Sequence, residues 1–121
     1  MRIGSAEVTG PVLALPEVRD AAAVPRRTEE DEEIWLLIVP GEGVSVDAAL
    51  EARIRDAVRR RASPRHVPRR IVAVPDLPRT RSGKTMELAI AEVVNGAEPA
   101  HPDSAANPEA FEAIAARVAG A

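Results

Sequence analysis

The sequence predicts an α+β fold, a small three-stranded sheet flanked by helices. Apolar residues recur at helical spacing in several separate stretches, the clearest running from Ser45 to Ala62. The continuous apolar run Ile34-Trp35-Leu36-Leu37-Ile38-Val39 ends at Pro40-Gly41, as a buried strand does. Only two further strand candidates accompany it, so the sheet is small and helices must pack on it to bury its face.

Taken in order, residues 5–15 predict a short or kinked helix, with Ser5 as N-cap, Pro11 in the middle and Pro16 closing it. Residues 21–27 are a weaker strand candidate. The five carboxylates at positions 29–33 fit a hairpin loop leading into the strand 34–39, where like charges stay in water and discourage edge-to-edge association. In the 45–62 helix, Ser45 or Asp47 can cap the start. Ala49, Leu50, Ile54, Ala57 and Val58 follow the helical period, and Arg59-Arg60-Arg61 complement the macrodipole at the end. Ser63-Pro64 stops the helix. Residues 70–74 predict a third strand, closed by Pro75. Residues 85–94 predict a helix ending at Asn95-Gly96. Residues 97–106 read as a linker, and Asn107-Pro108 as the N-cap and first residue of a last helix. The domain division that follows is 1–96 for the folded unit and 97–121 for a linker and helical tail.

Composition excludes several function classes. The 121 residues suit one domain, whose only aromatic residues are Trp35 and Phe111, so the core is built from small branched side chains. Without cysteine there are no disulfides and no thiolate metal sites. His66 and His101 lie far apart without metal-ligand spacing, so no metal site is expected. No apolar run approaches the ~20 residues of a membrane span, and a cytoplasmic location with no membrane partner is the expectation.

The net charge of -3 conceals an asymmetry: from Arg59 to Lys84 there are nine basic residues against one acid, Asp76. Such a stretch can meet phosphate, or it can simply be a solvated face. Sixteen residues are Lys or Arg, and Lys84 is the single lysine. Arginine and lysine solubilise a surface almost equally well, but a compact mobile ammonium and a planar guanidinium do not occupy the same space. Lys84 therefore marks a position where the ammonium itself is needed.

Lys84 closes the segment Pro78-Arg79-Thr80-Arg81-Ser82-Gly83-Lys84. Pro78 and the Ser82-Gly83 pair predict an irregular, flexible loop that delivers the ammonium to another surface. The predicted helix starts at once after Lys84, an unfavourable place for a cation that points to an anion elsewhere. The loop is not a phosphate-binding Walker motif, because the first glycine and its spacing are absent.

Read together, Pro68-Arg69-Arg70-Ile71-Val72-Ala73-Val74-Pro75-Asp76-Leu77 and the loop up to Lys84 closely resemble the late motif of acyl- and aryl-CoA synthetases, members of the adenylate-forming superfamily. Arg2-Ile3-Gly4-Ser5-Ala6-Glu7-Val8 looks like the segment just after that family's hinge. Ile54-Arg55-Asp56-Ala57-Val58-Arg59, then Ser63-Pro64 and Val67-Pro68, fit its long helix and exit. Thr85-Met86-Glu87-Leu88-Ala89-Ile90 and Ala106-Asn107-Pro108-Glu109-Ala110-Phe111 are similar to the acetoacetyl-CoA synthetase branch.

The resemblance implies the fold of the family's mobile C-terminal domain, over residues 1–96. It implies that Lys84 is the catalytic lysine of the adenylation pose, supported by Ser82 and Gly83. It implies that Arg2 and Arg59 face CoA or nucleotide in the thioester pose. Glu7 matches a family position, which an ordinary acid at a helix start explains equally well. The missing N-terminal adenylation domain would bring ATP, Mg2+, CoA and the acid, and the piece alone is expected to be inactive and to bind none of them. The starting methionine is expected to mark a cut within a longer chain. The family also implies Lys84 as an acetylation site, with a Gcn5-related protein acetyltransferase and a sirtuin-type deacetylase as partners. The alternatives are the same domain of another short- or medium-chain acid ligase, or a freestanding basic module gripping phosphate or nucleic acid. The near absence of aromatic residues speaks against nucleic acid as a partner.

Overall fold

A computed structural model describes residues 4–121. Its elements are α1 (Ser5–Leu13), β1 (Val18–Arg27), β2 (Glu32–Pro40), α2 (Ala48–Arg61), β3 (Arg70–Ala73), α3 (Glu87–Val94) and α4 (Glu109–Ala119), with short 3-10 turns at Pro64–His66 and Pro102–Ser104. The strands form one sheet in the order β1-β2-β3, with β1 antiparallel and β3 parallel to β2. The α+β class and the three-stranded sheet flanked by helices are as the sequence predicts.

Side chains alternate across a strand, and here both faces of the sheet are covered. Trp35, Leu37 and Val39 of β2 face one core with Ala22, Val24 and Val72, beneath Ile90, Val94, Phe111 and Ile114 of α3 and α4. Leu36 and Ile38 face the other, with Ala21 and Ala23, beneath Val8 and Val12 of α1 and Leu50, Ile54 and Val58 of α2. Burial on both faces explains why β2 reads as an unbroken apolar run.

The weak strand at 21–27 is a ten-residue strand. The sequence understates it because polar residues flank its apolar centre, and because a register shift lies between Val18 and Asp20. That irregularity lets Val18 join the α1/α2 core while Asp20, in step with Ala22 and Val24, turns to the opposite face. The hairpin turn is also shorter than the acidic run. Thr28 and Asp31 close it with backbone and side-chain bonds of 2.7 and 2.8 Å, and Glu32 and Glu33 already belong to β2.

Two predicted helix starts move, and a third is settled between its two candidates. Gly4, not Ser5, is the N-cap of α1, and it offers no side-chain bond. Asp47 is the working cap of α2, its Oδ1 accepting from the Leu50 amide at 2.8 Å. At the C-terminal end, Pro108 is the N-cap of α4 and the Asn107 side chain is used elsewhere. The predicted linker carries a 3-10 turn and a buried Ala105, and Phe111 and Ile114 belong to the same core as α3. The bond from the Asn95 side chain to the Pro25 carbonyl, at 2.8 Å, and that from Arg26 to the Val94 carbonyl, also 2.8 Å, fix the end of α3 against β1. Arg26 also lies 4.9 Å over the Trp35 ring, a cation–π distance.

Candidate functional site

Lys84 does not stand at a helix start. The α3 helix begins at Glu87, and the intervening residues complete a hairpin: Arg79 pairs with Thr85 in an antiparallel bridge, and the Met86 amide donates to the Pro78 carbonyl at 3.0 Å. The expected conflict between ammonium and helix dipole is therefore relieved. Thr85 returns along the hairpin rather than entering the helix.

The hairpin is closed by bonds that also argue against a slack loop. The Thr80 amide donates to the Lys84 carbonyl and the Gly83 amide to the Thr80 carbonyl, both at 2.8 Å. The Lys84 amide donates to Thr80 Oγ1 at 3.1 Å, and that hydroxyl lies 3.0 Å from Ser82 Oγ. Arg81, Ser82 and Gly83 form the tip. Gly83 has φ +92°, the left-handed region that closes a three-residue hairpin and that a side chain would strain. Its Cβ position is otherwise open space, so the constraint is on the backbone alone.

Arg79 anchors this tip to the body of the domain. One terminal nitrogen donates to the Gly83 carbonyl at 2.9 Å, and the other pairs with Asp20 of β1. Lys84 itself is exposed. Among the described residues, no carboxylate lies within ion-pair distance of its ammonium, whereas Arg53, Arg55, Arg59, Arg60, Arg69 and Arg79 each have one. The single lysine is thus held by its backbone and left free at its charge.

Arg59 sits elsewhere. It lies on the exposed side of α2, and pairs with Asp56 at 2.7 Å while Arg60 meets the same carboxylate at 2.9 Å. Because α2 and α3 cover opposite faces of the sheet, Arg59 and Lys84 are not brought together. Arg2, predicted to face CoA or nucleotide, lies outside the described residues.

Near the start of α1, Glu7 Oε2 lies 2.6 Å from His66 Nε2, whose Nδ1 lies 2.6 Å from Ser63 Oγ. This relay joins α1 to the exit of α2. Arg53 pairs with Glu17 ahead of β1, and its hydrogen bond holds that carboxyl below the usual carboxylate range.

Sequence reasoning missed Asp20 and Asn107 as parts of the lysine hairpin. Asp20 carries a faint signal, an acid in step with the inward-facing Ala22 and Val24. Asn107 was hidden by its resemblance to a helix cap.

A sheet covered on both faces by helices, with a glycine hairpin presenting one lysine, is the architecture of the C-terminal-domain class expected from the sequence motifs. The family model described as the AMP-binding enzyme C-terminal domain matches residues 10–84, and the chain belongs to that family. Acetoacetyl-coenzyme A synthetase of Rhizobium meliloti (strain 1021) is 41% identical over 115 residues, covering 95% of this chain and 18% of the relative. The structure of acetoacetyl-CoA synthetase from Streptomyces lividans superposes with a TM-score of 0.84 at 28% identity, over 99% of this chain and 18% of that one. Brucella canis acyl-CoA synthetase, also 28% identical, superposes over 73% with a TM-score of 0.68. The chain therefore spans under a fifth of the relatives it matches.

Proposed function

We propose that this chain is the C-terminal domain of an acetoacetate–CoA ligase and that Lys84 is its catalytic group for adenylate formation. The observation that carries the reading is the exposed ammonium on a hairpin fixed by its own backbone bonds. Attack of the acid's carboxylate on the α-phosphate of ATP gathers charge on the phosphate oxygens as pyrophosphate departs. A positioned ammonium stabilises that charge more than it stabilises the ground state. With no carboxylate partner among the described residues, it need not first break a salt bridge.

ATP, CoA and the acid would meet Lys84 in a site completed by the N-terminal domain, and Mg2+ would arrive with ATP. Among the described residues, no group of three or more His, Cys, Asp or Glu could hold a metal ion. In the thioester step, the α2 face would turn toward the site, with Arg59 and Arg2 facing the phosphates of CoA. Acetoacetate as the acid is supported by the 41% identity to the Rhizobium meliloti enzyme, and by the near-complete superposition on the Streptomyces lividans one. Acetoacetate-dependent exchange of pyrophosphate into ATP by the full-length protein tests the substrate. Faster exchange with another short-chain acid would transfer the assignment to that acid.

The same exposure suits Lys84 to acetylation by a Gcn5-related acetyltransferase and removal by a sirtuin-type deacetylase, which would cancel the charge and the catalytic contact at once. Placement in the cytoplasm fits such partners; among the described residues no helix is long and apolar enough to cross a membrane. Intact-mass analysis after incubation with acetyl-CoA and an acetyltransferase should show one added acetyl group, absent from Lys84→Arg. Acetylation that persists in Lys84→Arg would refute the assignment.

A further inference from the structure

We propose that the C-terminal tail is a strap that sets the height of the lysine hairpin, with Asn107 and Arg79 as positioning residues for Lys84. Asn107 uses both ends of its amide on the segment leading into the hairpin. Its Oδ1 accepts from the Arg79 amide at 3.0 Å, and its Nδ2 donates to the Leu77 carbonyl at 2.9 Å and to Asp76 Oδ2 at 3.0 Å. Neighbouring residues repeat the attachment. The Ala106 amide donates to the Arg79 carbonyl at 2.8 Å, and Thr80 pairs with Ala105 in an antiparallel bridge. The strap is fixed at its far end by Phe111 and Ile114 in the core. Ala105, on the strap itself, is buried in the same core.

Chemistry and position make this more than a packing contact. Arg79 is held by Asn107 and Ala106 through its backbone, and through its guanidinium it grips the Gly83 carbonyl and Asp20. A shift of the strap is thus passed to Gly83, the residue before Lys84. The match to the family model covers residues 10–84, so the strap lies beyond the matched segment. Side-chain amide and backbone groups are matched donor to acceptor, an arrangement that an aspartate at position 107 would spoil by facing Asp76 with a second carboxylate.

The inference rests on the adenylation role of Lys84 and is tested in the full-length enzyme by measuring the two half-reactions separately. Asn107→Ala is expected to lower acetoacetate-dependent ATP–pyrophosphate exchange by about tenfold to a hundredfold, the scale of a slightly misplaced catalytic group. Thioester formation from supplied acetoacetyl-adenylate should stay within about twofold, since it uses the opposite face of the domain. Asn107→Asp should impair adenylation further, and Asp76→Asn in that background should restore part of it by returning a donor–acceptor pair. Equal losses in both half-reactions, or no recovery in the double variant, would overturn the strap. Normal adenylation in Asn107→Ala would do the same while leaving Lys84 in its role, provided Lys84→Ala still abolishes exchange. If Lys84→Ala exchanges normally, the catalytic reading fails first and the strap falls with it.

Discussion

The two faces of the sheet hold the cations proposed as functional in opposite ways. On the α3/α4 side, Lys84 is fixed at its backbone by a closed hairpin, and its ammonium has no carboxylate partner among the described residues. On the α2 side, Arg59 stands on a regular helix and already shares a carboxylate with Arg60. A group that must meet developing charge at one point benefits from a fixed tip and a free ammonium. A group that meets a solvated phosphate at a rim can exchange one weak surface partner for another. The difference teaches that the hairpin, and not the basic stretch as a whole, is the specialised part of the molecule.

That contrast can be broken in two places. The larger effect is expected from Phe111→Ala, which opens a cavity under the strap. It should cost about 3–5 kcal/mol in unfolding free energy measured by denaturant titration. If the strap and the lysine face share one core, adenylation in the full-length protein should fall before thioester formation does. A cost below about 1 kcal/mol would show that the tail packs more loosely than its burial implies. A smaller effect is expected from Arg59→Ala. Its surface pair contributes little, so stability should change by less than about 0.5 kcal/mol. The KM for CoA in the full-length protein should rise about tenfold, the size of one charge-assisted hydrogen bond. An unchanged KM would remove Arg59 from the CoA face and leave it as a helix-end charge.

Much of this architecture is legible in the sequence because local chemistry and global packing agree. The Ile34 to Val39 run reads as a buried strand, and the Leu50, Ile54 and Val58 stripe marks α2, with its cap left between Ser45 and Asp47. Lys84 stands out by composition alone. The misreadings occur where one residue serves a distant partner. Thr85 looks helical but pairs with Arg79, and Asn107 looks like a cap but bonds residues some thirty positions earlier, with separations of 28 to 31. Asp20 could be placed only through the shift between Val18 and Asp20, since without it the alternation assigns one of those residues to the wrong face. Local patterns carry no record of such long-range bonds, so the lysine was visible while the apparatus holding it was not.

The most direct measurement compares both half-reactions of Lys84→Ala in the full-length enzyme with those of the unsubstituted protein. Acetoacetate-dependent pyrophosphate exchange should fall by at least about a hundredfold, the usual loss when a transition-state contact is removed. Thioester formation from supplied acetoacetyl-adenylate should remain close to its original rate. Equal loss of both steps, or retention of exchange, would contradict the role given to the single lysine of this chain.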